Sequence, residues 1–289
     1  MNKLTITGFS DEISPAFDQQ LAALGEFQVT HLELRGADSV NVSDLTPAQL
    51  QEIKAKLAAA GIQVSSIGSP IGKIGIEEPF APHLEKLKRT LEIQKELSAP
   101  YLRMFSFYLP QNARPEDYRS QVLERLGAMV EEAARWDAVL LHENEKGIFG
   151  DAAPRCLELM EALSGPHFGA VFDFANFVEV GQSTLEAYQL LSPYIRYIHI
   201  KDATAEKKIV PAGQGVGHVK EILSQLITGG WRGFLSLEPH LTDFAGLAAL
   251  EKDPAKREGV LDGKSAWKLA LNALREILEG IPAAKEAMA

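Results

Sequence analysis

Ala138-Val139-Leu140-Leu141-His142-Glu143-Asn144-Glu145-Lys146-Gly147 begins as an unbroken apolar run and stops in a knot of charge. The apolar part reads as a buried strand, and the charged part as the loop in which that strand ends. Three later stretches repeat the pattern: Phe168 to Asp173 (FGAVFD), Tyr194 to Asp202 (YIRYIHIKD) and Gly233 to His240 (GFLSLEPH). Each carries a metal-type ligand at its C-terminal end, giving Glu143, Asp173, His199 and Glu238, spaced 30, 26 and 39 residues apart. Every interval is about one strand-helix-strand unit. Side chains so distant in sequence converge only if their strands are parallel neighbours with C-terminal ends on one face.

The same alternation extends outward to both ends of the chain. Strands are expected at Lys3 to Phe9, Val29 to Leu34, Ile62 to Ile67 and Tyr101 to Phe107, then at Gly169 to Phe172, Ile195 to Ile200 and Phe234 to Leu237. Helical apolar spacing lies between them. Thr46-Pro47 supplies a capping residue followed by proline; Leu50, Ile53, Leu57 and Ala60 form the buried stripe, and Gly61 ends the helix. A terminal amphipathic helix is expected over Lys264 to Leu278. Eight strands alternating with eight helices, with no composition break, predict a single-domain (β/α)8 TIM barrel over residues 1–289. An open doubly wound sheet would want a glycine fingerprint after its first strand, and Gly8-Phe9-Ser10-Asp11-Glu12 supplies none.

Composition narrows the partners. A formal net charge of −10 opposes binding by phosphate neutralisation, so no nucleic acid is expected. Cys156 is the sole cysteine, which excludes an intrachain disulfide and a thiolate cluster. Any metal is therefore held by oxygen and imidazole. No run approaches the ~20 apolar residues that cross a bilayer. Met1 to Phe9 reads as a strand and lacks a signal-peptide layout, so a cytoplasmic protein is expected. Self-association stays open.

An acid after a strand is ordinarily a helix cap or a solvated loop residue. Four consecutive units ending in a ligand weaken that explanation, because barrel sites lie at that end. Three carboxylates and one neutral imidazole suit a divalent cation, with manganese placed first and magnesium, cobalt or zinc as alternatives.

Five motifs together resemble the xylose isomerase-like TIM-barrel superfamily of sugar isomerases and epimerases. They are His142-Glu143-Asn144-Glu145, Asp173-Phe174-Ala175-Asn176, His199-Ile200-Lys201-Asp202, Gly213-Gln214-Gly215 and Glu238-Pro239-His240. The resemblance implies that Glu143, Asp173, His199 and Glu238 are the metal ligands. It also implies that Glu143 and Glu238 exchange protons with a keto-polyol or sugar through a metal-stabilised enediolate. Several members place a histidine where this chain has Asn176, so the accepted hydroxyl pattern is open there. Glu145 and Lys146 have no universal counterpart and are expected as substrate contacts.

Other candidates have two readings each. Lys201 would neutralise an oxyanion or substrate carboxylate, or else pair with Asp202 or a loop acid. His240 points to the same side as Glu238 and is expected to touch substrate. Arg103 would touch substrate, although a buried ion pair with Glu33 ranks ahead of that. Ser69 and Lys73 lie on a glycine-flanked loop that either approaches the ligand or hinges a lid. A dehydratase is the second functional reading, since the same carbanion can expel a β-hydroxyl. A DNA-repair endonuclease would need further histidines, notably at Asn176, and a non-catalytic binding protein would take up no metal.

Overall fold

A computed structural model describes residues 3–242 and 261–288. The predicted strands form one parallel sheet: β1 (Thr5–Gly8), β2 (His31–Leu34), β3 (Gln63–Ile67), β4 (Leu102–Met104), β5 (Leu140–Glu143), β6 (Phe168–Asp173), β7 (Ile195–Ile200) and β8 (Phe234–Leu237). Their hydrogen-bonded order runs β1, β8, β7, β6, β5, β4, β3, β2. A parallel bridge between Phe9 and Glu33, just above β1 and β2, brings the two ends together and all but closes the cylinder. The eight-stranded barrel expected from the alternation is therefore observed.

Alternation within each strand decides what faces the axis. Leu141, Val171, Tyr197 and Phe234 pack on one another as an apolar floor inside the barrel. Tyr101 joins them, with its ring 6.0 Å from that of Tyr197. Two residues further along the same strands stand Arg103, Glu143, Asp173, His199 and Ser236, all buried. One step of period two thus converts a dry floor into a layer of ionisable groups at the C-terminal mouth. The intervening residues, among them Leu140, Phe172, Ile198, Leu235 and Leu237, join the large core shared with the helices.

That outer layer comprises α1 (Phe17–Glu26), α2 (Pro47–Ala60), α3 (Phe80–Glu96), α4 (Pro115–Arg135), α5 (Ala153–Leu163), α6 (Phe174–Glu179), α7 (Thr184–Leu191), α8 (Val219–Thr228), α9 (Gly263–Glu279) and α10 (Pro282–Met288). The start of α2 is the capping box its sequence announces. Thr46 Oγ1 accepts from the Gln49 backbone N–H at 3.3 Å, and Gln49 Oε1 accepts from the Thr46 N–H at 3.0 Å. A cap of this kind contributes about 1 kcal/mol. Gly61 closes the helix in the left-handed conformation at φ +66°. The short α6 and the terminal α10 lie outside the sequence expectation. On α9, Trp267 is fully buried, stacks on Phe27 and donates from Nε1 to the Phe9 carbonyl at 3.2 Å. It presses so closely on β1 that a Cβ at Gly8 would lie 2.8 Å from its ring.

Among the described residues, no helix is long and apolar enough to cross a membrane.

Candidate metal centre at the barrel mouth

The four strand-end ligands converge. Glu143, Asp173, His199 and Glu238 are all buried, and each offers one ligand atom within 4.8 Å of the others. Register brings this about: Asp173 and Ser236 both pair with His199, and Glu143 pairs with Val171, so these strands end within two residues of one another.

Each ligand is aimed by a contact on its far side. Asp173 caps α6, with Oδ1 accepting the Asn176 N–H at 2.8 Å, while Oδ2 is buried without a hydrogen bond. His199 has its Nδ1 2.8 Å from Glu143 Oε1 and 3.5 Å from Glu238 Oε2, so Nδ1 is the atom facing the cluster. Its Nε2 lies 3.1 Å from Glu33 Oε2, which also accepts from Ser236 Oγ at 2.7 Å. A carboxylate behind the distal ring nitrogen is the arrangement that orients metal-bound histidines. Glu143 takes a hydrogen bond from Asn176 Nδ2 at 3.3 Å on Oε1 and one from Arg103 Nη1 at 3.1 Å on Oε2. Asn144 locks the two strand ends together, donating to the Asp173 carbonyl and accepting its N–H at 3.0 and 2.9 Å.

The electrostatics suit a bound cation. Burial pushes Asp173 up to about 8; Lys201 opposes that shift, and the neighbouring Glu238 and Glu143 charges add to it. Burial disfavours a charge on His199, yet the Glu143 and Glu33 carboxylates outweigh it and hold the imidazole well above its ordinary value. Burial likewise opposes ionisation of Glu238, but Lys201 and His240 hold it well below the usual carboxylate range. Three crowded carboxylates, an unbonded carboxylate oxygen and an imidazole nitrogen are a fitting donor set for a divalent cation.

The buried charges choose partners that the sequence does not give. Arg103 pairs with Glu143, not with Glu33, and its Nη2 donates to the Gly68 carbonyl at 3.1 Å. Glu33 is claimed by His199, which the sequence alone does not bring to it. Lys201 pairs not with Asp202 but with an acid just beyond β8: its Nζ lies 3.0 Å from Glu238 Oε2 and also 3.2 Å from Asp173 Oδ2. Asp202 turns away to accept the N–H groups of Gly213, Gly215 and Gly217 at 2.9, 3.0 and 2.9 Å. The Gly213-Gln214-Gly215 motif is thus a cradle for the chain's own carboxylate. Glu145 pairs with Lys73 at 3.0 Å, and Lys146 lies 3.6 Å from Glu179 Oε2 at the end of α6. The loop around Gly72 is fastened by hydrogen bonds to the end of β4 and to α3. Phe105 and Phe107 N–H groups donate to the Ile71 and Gly72 carbonyls at 2.8 and 3.1 Å, and Gly72 N–H donates to His83 Nε2 at 2.7 Å.

Sequence reasoning placed His240 at the mouth but missed the acidic pair Asp11 and Glu12 that Arg35 binds there. Arg35, over the face of Phe9, reaches Asp11 at 2.8 Å, Glu12 at 3.2 Å and Glu238 at 3.4 Å. His240 Nε2 lies 3.3 Å from Glu238 Oε1 and 3.5 Å from Glu12 Oε1. Its backbone is left-handed at φ +47°, held so by donation of its N–H to Glu12 Oε2 at 2.7 Å. The available signal was the acidic pair Asp11-Glu12 directly after the first strand, at the level where the other strands place their ligands.

A family model described as xylose isomerase-like TIM barrel matches residues 19–277. The chain belongs to that family. Among its relatives, 3-dehydroshikimate dehydratase of Bacillus anthracis is 21% identical over 132 residues. That match covers 46% of this chain and 47% of the relative, so the chain spans about half the length of the curated relative it matches. The probable 3-DHS dehydratase AsbF of Bacillus anthracis has a TM-score of 0.73 at 17% identity, over 94% of this chain and 98% of that one. For 3-keto-D-glucoside 4-epimerase, YcjR, of E. coli, the TM-score is 0.68 at 15% identity, over 96% and 100%. A Mycobacterium smegmatis protein of this fold in complex with magnesium gives 0.66 at 15%, over 94% and 97%. Xylose isomerase-like barrels thus include sugar epimerases and dehydratases, and these structural likenesses bear on the fold.

Proposed function

We propose that this xylose isomerase-like barrel is a divalent-metal-dependent isomerase or epimerase acting on a sugar or keto-polyol. The observation that carries the reading is the meeting of Glu143, Asp173, His199 and Glu238 within 4.8 Å at the mouth of the barrel. These four residues would hold the cation, with manganese the first candidate. When bound, it supplies Lewis-acid chemistry, stabilising negative charge on a substrate carbonyl oxygen as the adjacent C–H proton leaves.

The chain's own residues do the rest. Glu143 on β5 and Glu238 beyond β8 come from different sides of the mouth, so one carboxylate removes a proton and the other returns one. Arg103 fixes the Glu143 carboxylate through its 3.1 Å bond, and Asn176 holds its other oxygen. Phe9 and Phe105 line the same layer, each with the Arg103 guanidinium about 5 Å from its ring, and help to keep water out. Glu145, Lys146, Asn176, Lys201, His240 and Arg103 are the proposed substrate contacts. Of these, Lys146 has the least structural support, because its ammonium pairs with Glu179.

A dehydratase is the second reading, favoured by the sequence match to 3-dehydroshikimate dehydratase. In that case the electron pair left by the departing proton expels a β-hydroxyl, which leaves as water after protonation. Incubation with candidate ketoses and manganese in deuterated water tests both. Deuterium incorporation without loss of water supports isomerisation, a new enone supports elimination, and neither change across neutral and acidic keto-polyols overturns the proposed chemistry.

A further inference from the structure

Lys201 and His199 stand two residues apart on the same side of β7 and its extension, and both reach into the four-ligand cluster. They converge on the same atoms. Lys201 Nζ lies 3.0 Å from Glu238 Oε2 and 3.2 Å from Asp173 Oδ2; His199 Nδ1 lies 3.5 and 3.9 Å from those two oxygens. Asp173 Oδ2 is buried and accepts no hydrogen bond, so its contact with the ammonium is an ion pair without hydrogen-bond geometry. The Lys201 side chain is only 3% exposed, which leaves little water to screen its charge.

Taking those four residues as the metal centre, we infer that the Lys201 ammonium is a built-in competitor for the cation. It pairs with the Asp173 and Glu238 oxygens and must release them when the cation is bound. Two positive groups cannot share these oxygens in a buried site without strong mutual repulsion. Without either cation, the nearest positive group to Asp173 Oδ2 would be His199 Nδ1 at 3.9 Å, whereas Glu143 keeps Arg103 and Glu238 keeps Arg35. Lys201 therefore does two opposing things: it stabilises the metal-free fold and weakens metal affinity.

The test is titration calorimetry of Mn2+ into wild type, K201M and K201Q at one pH and ionic strength. Both variants are expected to bind Mn2+ at least tenfold more tightly than wild type, a gain that general damage to the site would not produce. Equal or weaker binding by the variants, with wild type still binding, overturns the competition and leaves the metal centre standing. No binding by any of the three overturns both. Wild-type crystals with and without Mn2+ give a check that needs no variant to fold. Lys201 Nζ should move beyond hydrogen-bond reach of Asp173 Oδ2 and Glu238 Oε2 when the ion is present, and an unmoved ammonium refutes the inference.

Discussion

Glu33 Oε2 lies 3.1 Å from His199 Nε2, so the imidazole that faces the metal centre through Nδ1 is anchored from behind by a fully buried carboxylate. Removing such an outer partner typically weakens metal binding 10–100-fold. Glu33→Gln keeps the shape and removes the charge. Calorimetric titration with Mn2+ should show a loss within about that range, whereas unchanged affinity would mean that His199 is oriented by other contacts.

The Arg103–Glu143 pair is buried on both sides, and deleting Arg103 strips Glu143 Oε2 of its charged partner, with His199 and Asn176 remaining on Oε1. Arg103→Met should lower metal-free stability by about 3–5 kcal/mol in urea denaturation, the usual cost of breaking a buried pair. A loss below about 1 kcal/mol would show that water reaches Glu143 as it reaches a surface ion pair.

Gly72 sits at φ +90°, and a Cβ there would lie 2.0 Å from the Phe105 carbonyl oxygen. Both the backbone region and the contact exclude alanine. Gly72→Ala should lower the melting temperature by several degrees, since a loss of 1 kcal/mol shifts a domain of this size by roughly 2–4 °C. An unchanged melting point would mean that the loop between β3 and α3 is free to move.

Two histidines distant from solvent make the fold sensitive to mild acid. Burial lowers His83 to about 4 and His142 to about 3, both below the ordinary 6.5 of the unfolded chain. The unfolded state therefore binds more protons as pH falls, so the stability held in these neutral rings is whole above about 6.5. It drains away as pH drops toward 4. His199 works in the other direction, losing its contribution only as pH rises above the ordinary histidine value. Melting temperatures measured downward from pH 6.5 should fall before the exposed carboxylates titrate, and H83N should flatten that slope; an equally steep slope in H83N would clear His83 of the role.

The barrel was legible because its signals are local and repeated. Leu140 to Glu143, Phe168 to Asp173, Ile195 to Ile200 and Phe234 to Leu237 each carry a strand-like run with a ligand at or just past its end. Thr46 and Gly61 mark the ends of α2 as plainly as sequence can. Partner choice among the buried charges was not legible, because it depends on where strands lie around a closed cylinder. Arg103 on β4 neighbours β5 and so meets Glu143, while Glu33 on β2 reaches across to His199 on β7. Asp202 looked like a partner for Lys201 by adjacency, yet alternation sends the two side chains to opposite sides. The acidic pair Asp11-Glu12 follows the first strand much as the ligands follow theirs, but its tie through Arg35 to Glu238 appears only once β1 lies between β2 and β8.

Anomalous diffraction from a crystal grown with Mn2+ tests the metal centre most directly. The expected result is one strong peak with Glu143, Asp173, His199 Nδ1 and Glu238 within coordinating distance. A peak bound by other residues, or none at saturating Mn2+, would contradict it.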